Sequence, residues 1–120
     1  MLIGELSKQT GASARSIRHY EKLGIIGSHR AENGYRRYSE ETVEWVKAIR
    51  FLLCGGLSLS TIARILPALM NINCKLEDPE IRRVIEEEAI NVKSRMEQLD
   101  QSHRILTAAL EKGYLRRPSE

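Results

Sequence analysis

Aromatic side chains are scarce in this chain, with one Trp, one Phe and four Tyr among 120 residues. Any core must therefore rest on Leu, Ile, Val and Ala. Cysteine is scarcer still. Cys54 and Cys74 lie twenty residues apart with no CxxC, a pattern that excludes a disulfide framework and makes a reducing, cytoplasmic setting the expectation. No apolar run approaches the roughly 20 residues needed to span a bilayer, and no signal peptide precedes the first helix, so no membrane partner is expected. Also missing are a glycine-rich phosphate loop, an HExxH pair and a nucleophile motif. Consecutive acids at Glu86, Glu87 and Glu88 point in different directions on a helix and form a solvated face. An enzyme is not expected, and neither a cofactor nor a resident metal is implied.

What is present is a concentrated basic segment. Net charge is only +3, but all of the excess lies between Met1 and Cys54, with nine basic against six acidic residues; the remainder carries ten of each. The stretch Ser13–Tyr38 holds Arg15, Arg18, Lys22, Arg30, Arg36 and Arg37 against Glu21 and Glu32. It reads as a short basic helix followed by a basic hairpin. A helix narrow enough for the major groove, beside a hairpin able to lie on phosphates, is a means for a small domain to grip duplex DNA.

The order of elements supports this. Ile3–Gln9 reads as a first helix ended by Thr10-Gly11. Ser13 caps a second helix that turns Ile17, Tyr20 and Leu23 inward and closes at Gly24. Two short helices joined by a glycine-containing turn are a helix-turn-helix, about residues 3–23. A wing follows over about 28–38, with Asn33-Gly34 as its turn because both residues tolerate positive φ. Ser39 caps a third helix to about Cys54, with Val43, Val46, Ile49, Leu52 and Leu53 on its buried stripe. Ser58 caps a fourth, Leu59 to about Leu66, which Pro67 kinks or ends. Residues 71–77 read as a loop. Asp78-Pro79 opens a long helix over 78–113, and 114–120 form a tail. Heptad spacing places Ile85, Val92, Leu99 and Leu106 at one core position, and Ala89, Met96, His103 and Leu110 at the other. A helix of about 50 Å cannot bury such a stripe within so small a domain, so a partner helix is expected. Its dimer-interface residues would be Ile85, Val92, Met96, Leu99, His103, Leu106 and Leu110.

The blocks IGELSKQTGAS, SIRHYEKLGII, NGYRRYSEETVEWVKAIRFL and GGLSLSTIARIL, followed by a long helix, resemble the MerR family of bacterial transcription regulators in order and spacing. The likeness covers residues 1–70. It implies an all-α fold with a small β wing, in which a winged helix-turn-helix domain precedes a long antiparallel coiled-coil dimerisation helix. It also implies a cytoplasmic homodimer that binds a palindromic double-stranded DNA promoter, distorts its spacer and acts with RNA polymerase there. Candidate DNA-binding residues are Ser13, Ala14, Arg15, Ser16, Arg18, His19, Tyr20, Lys22, Tyr35, Arg36 and Tyr38. Family likeness puts Arg18 and Tyr20 near the backbone, Ala14 and Arg15 nearer the bases, and Tyr35 and Arg36 on phosphate. Tyr38 fits contact and core equally. His19 departs from the Tyr-Tyr-Glu of many relatives, and a phosphate contact is the preferred reading.

The inducing signal is less legible. Metal-sensing relatives place two cysteines after the long helix, and this chain has none there. A small-molecule or thiol-reactive effector is open, with Cys54 and Cys74 as the candidate thiols. The end of a helix disfavours thiolate, so Cys54 reads first as a buried structural residue. The rival readings are an architectural or excisionase-like DNA-binding protein without an inducer, and a coiled-coil adaptor that needs no DNA.

Overall fold

The computed structural model describes residues 1–70 and 78–113. The sequence readings at 71–77 and 114–120, including Cys74, lie outside the described residues. Among the described residues there are five helices and one hairpin: α1 Ile3–Thr10, α2 Ala14–Lys22, β1 His29–Arg30, β2 Arg36–Arg37, α3 Glu40–Cys54, α4 Leu59–Met70 and α5 Pro79–Lys112. The chain divides into two units, Met1–Ile85 and Glu86–Glu120.

In the first unit, α1 packs on α2 and α3, and α3 packs on α4. Leu6, Ile17, Val46, Ile49 and Ile62 are fully enclosed, joined by Ala12, Tyr20, Ile25, Ile26, Tyr38, Val43 and Leu66. Each large aliphatic in that set contributes about 1.5–3 kcal/mol of transfer energy. This is the aliphatic core that so few aromatics require, with two tyrosines added.

The turn between α1 and α2 is fixed by polar groups. Gly11 adopts φ +78° and its N–H donates to Ser7 O at 2.8 Å. Thr10 Oγ1 donates to Leu6 O at 2.8 Å and accepts from Ala12 N at 3.2 Å. From α3, Arg50 Nη1 donates to Thr10 O at 2.5 Å, placing a cation on the negative end of α1. α2 begins at an N-cap: Ser13 Oγ accepts from Ser16 N at 3.0 Å. It ends at Gly24 with φ +78°. Leu23, read as inward, is 47% exposed, because it is the cap residue where the chain leaves the helix.

The hairpin pairs His29 with Arg37 and Arg30 with Arg36 in antiparallel register. Its turn differs from the sequence reading. Gly34 alone takes positive φ, and no non-glycine residue does among those described. Gly34 N donates to Ala31 O at 2.9 Å, Ala31 N to Tyr35 O at 2.9 Å, and Asn33 Oδ1 accepts from Tyr35 N at 3.2 Å. Asn33 thus serves through its side chain, in a turn closed by a left-handed glycine.

Two further expectations are corrected. Ser39 stands at the N-cap of α3, but its hydroxyl pairs with Thr42 Oγ1 at 3.0 Å and caps no backbone N–H. Pro67 does not end α4, which continues to Met70. Its ring lies on the exposed face, while Ile65 and Leu66 before it are buried and Met70 after it packs on the core. Burial there outweighs the lost intrahelical hydrogen bond. Ser58 and Asp78 cap as expected, accepting from Thr61 N at 3.2 Å and Glu80 N at 2.9 Å. The start of α5 belongs to the first unit, where Val84 is buried and Arg64 pairs with Glu80 at 3.1 Å. No described helix is long and apolar enough to cross a membrane.

Candidate nucleic-acid interface

Burial of Ile17 and Tyr20 fixes the rotation of α2 and turns Arg15, Arg18, His19 and Lys22 outward. The spacing i, i+3, i+7 aligns Arg15, Arg18 and Lys22 on one stripe, and i, i+4 aligns Arg15 with His19. Two clefts flank the helix. One, of about 620 Å³, lies between α2, the start of α1 and the wing, and is lined by Arg18, Arg30, Tyr35 and Arg36 together with one acid, Glu5, and with Ile3 and Tyr38. The other, of about 540 Å³, is lined by Arg15, Ser16, His19, Tyr20, Leu53 and Leu59. The basic residues of the first cleft come from α2 and from both strands of the hairpin, and folding brings them to one side of the domain.

All six basic residues of Ser13–Tyr38 are exposed. So is Tyr35 on the wing, whereas Ala14 and Ser16 are half-buried and Ser13 is exposed at the N-cap. Two candidates are deeply placed. Tyr38 is 1% exposed and Tyr20 is 5% exposed; both belong to the apolar core, Tyr20 as the inward turn of α2 leads one to expect and Tyr38 as the core alternative has it. Cys54 is corrected, being exposed and not buried. It lies in the last turn of α3, beyond the stripe of Val43, Val46 and Ile49 that faces inward. Among the described residues no group of His, Cys, Asp and Glu is arranged to hold a metal ion.

Two participants were missed in the sequence. Arg30 pairs across the hairpin with Arg36 and enters the same cleft; counting outward from the Gly34 turn would have found it. The second is Glu21, whose side chain is 15% exposed and forms an ion pair between Oε2 and Arg36 Nη1. Its Oε1 and the Tyr38 hydroxyl are both buried without a hydrogen-bond partner of good geometry. Burial first, and then the Glu21 charge, push the Tyr38 phenol above its usual value, with Arg36 acting in the opposite sense. Tyr38 is also tied to the start of the chain, its N–H donating to Met1 O at 2.7 Å. This cluster joins α2 to the wing.

Residues 1–69 match the family of MerR HTH family regulatory proteins. The mercuric resistance operon regulatory protein of Bacillus cereus is 36% identical over 77 residues, which are 63% of this chain and 58% of that protein. The chain thus spans less than two thirds of that relative's length. A MerR family transcriptional regulator from Listeria monocytogenes superposes with a TM-score of 0.78 at 25% identity, covering 92% of this chain and 83% of that one. HiNmlR, a MerR family regulator lacking the sensor domain and solved bound to promoter DNA, superposes at 0.69 with 26% identity over the same shares. With its helix-turn-helix, its wing and its long C-terminal helix all in place, this chain belongs to the MerR family, a class of regulators and not of enzymes.

Proposed function

We propose that this chain is a cytoplasmic transcription regulator that binds a palindromic promoter as a homodimer. The observation that carries the reading is the exposed cationic cleft between α2 and the wing, where Arg18, Arg30 and Arg36 stand with Tyr35. α2 enters the major groove, with Arg15 nearest the bases, since arginine donates two hydrogen bonds to guanine O6 and N7. Arg18, Arg36, Tyr35 and His19 hold phosphate, which sets register without reading sequence. Met96, Leu99, Leu106 and Leu110 on α5 are exposed apolar residues at heptad spacing, which favours pairing with a second copy through an antiparallel coiled coil. Two recognition helices held by one rod read two half-sites at fixed spacing. Distortion of the spacer between promoter elements, through DNA deformability, is the means by which the dimer acts on RNA polymerase. The promoter-bound HiNmlR supports the DNA part of this reading by likeness.

The test is binding of the full chain to a duplex selected from random sequence, measured across a salt series. Arg18→Ala and Arg36→Ala each weaken binding and make the salt dependence shallower by about one unit of slope per lost phosphate contact. Unchanged slopes in both variants would remove these residues from the phosphates and sink the proposed interface.

A further inference from the structure

An acid in the middle of a phosphate-binding surface is a physical oddity. Glu21 lies on the last turn of α2, adjacent to Lys22 and three residues from Arg18, and its carboxylate pairs with Arg36 on β2. Considered as a bare charge, it repels DNA and cancels one of the cations. The wing is anchored at its base, where Tyr38 is buried and pairs through its backbone with Met1, but its strands have little else to hold them. Both strands are two residues long and all four of their residues are exposed. The apolar core ends at Tyr38, whose phenol lies within the influence of the same carboxylate. Two short strands with no buried side chain of their own, held at one end by Tyr38, leave the angle of the outer hairpin weakly fixed by packing.

We infer that Glu21 is a positioning residue for DNA binding, fixing the Arg36 guanidinium, and with it the wing, at a set distance from the recognition helix. The inference rests on the assignment of Arg36 to phosphate made above. A guanidinium carries five N–H donors in a rigid fork. The Glu21 carboxylate engages Nη1, leaving donors on the other nitrogens for a phosphate oxygen. Arg36 remains 46% exposed in its side chain while Glu21 is mostly covered, so the acid lies on the protein side of the pair and the cation on the solvent side. The arginine is thereby immobilised before DNA arrives, and the cost of ordering a long side chain at the interface is reduced.

The sign of one substitution separates positioning from plain electrostatics. Glu21→Gln removes a negative charge while keeping shape and one acceptor. If Glu21 only neutralises Arg36, the variant binds DNA more tightly and with a steeper salt dependence. If Glu21 positions Arg36, the variant binds roughly three- to tenfold more weakly, the loss expected when a long side chain must be ordered at the interface, and its salt slope moves toward that of Arg36→Ala. The experiment is fluorescence anisotropy of the full chain on its selected duplex, run as a cycle over wild type, Glu21→Gln, Arg36→Ala and the double variant. The expected result is a loss for Glu21→Gln in the wild-type background and no further loss in the Arg36→Ala background. Circular dichroism melts of all four proteins check folding, and Arg36→Lys supplies a second variant that keeps the charge but loses the fork; Glu21→Gln should cost less in that background as well. Tighter binding by Glu21→Gln, or additive losses in the cycle, overturns positioning while the phosphate role of Arg36 stands. An Arg36→Ala variant with unchanged affinity and slope overturns that role and the inference with it.

Discussion

Replacing two leucines on the outer half of α5 tests the proposed dimer most directly. Leu99 and Leu106 are 68% and 59% exposed in the single chain, so about two thirds of each side chain is available for burial by a partner. Truncating leucine to alanine removes three carbons at about 0.8 kcal/mol each when burial is complete, or roughly 1.5 kcal/mol per position at this exposure. In a twofold pair every substitution counts twice. Leu99→Ala with Leu106→Ala therefore removes about 6 kcal/mol from association, more than a ten-thousandfold change in dissociation constant.

Sedimentation over a concentration series is the assay. Wild type is expected to be dimeric at micromolar concentration and the double variant monomeric. Ile90 supplies the control: it is also 68% exposed, but it lies off the heptad stripe. Ile90→Ala should leave association unchanged. A monomeric wild type, a double variant that associates as tightly as wild type, or an Ile90→Ala variant that dissociates as readily would each refute the assignment of the stripe to a second copy.

Three further outcomes follow from the first unit. Gly11 and Gly24 share φ +78°, but an added Cβ at Gly11 would overlap Arg50 Nη1 while Gly24 has open space; Gly24→Ala should cost about 1–2 kcal/mol from backbone strain, and Gly11→Ala about 1 kcal/mol more as the Arg50–Thr10 hydrogen bond is displaced, read as unequal shifts in urea midpoint. Ser13→Ala should lose about 1 kcal/mol of stability, whereas Ser39→Ala, whose hydroxyl caps no backbone group, should stay close to wild type in the same titration. For Tyr38, burial and the Glu21 charge keep the phenol protonated to higher pH in the folded chain than in the unfolded one. Its contribution to stability is therefore complete below about pH 10 and is lost as pH rises through the raised native value; Tyr38→Phe should flatten that alkaline fall, and equal alkaline slopes would count against the effect.

The helices were legible because their signals are local. Ser13, Ser58 and Asp78 cap by reaching two or three residues along the chain, and Gly11 and Gly24 stop helices through their own φ. The stripe of Val43, Val46 and Ile49 repeats at helical spacing and is buried accordingly. What was not legible depends on contacts distant in sequence. Pro67 looks like a stop until Met70 is seen packed on the core. Tyr38 belongs to a Gly-Tyr-Arg-Arg-Tyr run that suggests alternating contacts, yet one tyrosine is exposed and the other is in the core. Cys54 ends a helix whose stripe of Val43, Val46 and Ile49 is buried, yet it is exposed because it stands at the last position of α3. Arg50 and Glu21 are the clearest cases: they act across 40 and 15 residues, and nothing beside them in sequence names their partners.

Those two long-range links have a common consequence for binding. The cationic surface is assembled from α2 and a wing, and α2 in turn is set against α1 through a turn of three residues. Burial of Ile17 and Tyr20 fixes how α2 is rotated, but hydrophobic packing is tolerant of small shifts along a helix axis, and a phosphate contact is not. The finer adjustment falls to directed polar bonds: Arg50 to the carbonyl that ends α1 on one side of the recognition helix, Glu21 to Arg36 on the other. Both are partly exposed and charged, so their strength falls with ionic strength. Salt then acts on this surface twice, by screening the cations from DNA and by loosening the bonds that align them. On this argument the salt slope of wild type exceeds the number of arginines that touch phosphate, and the excess disappears when Arg36 is held by a neutral contact or removed.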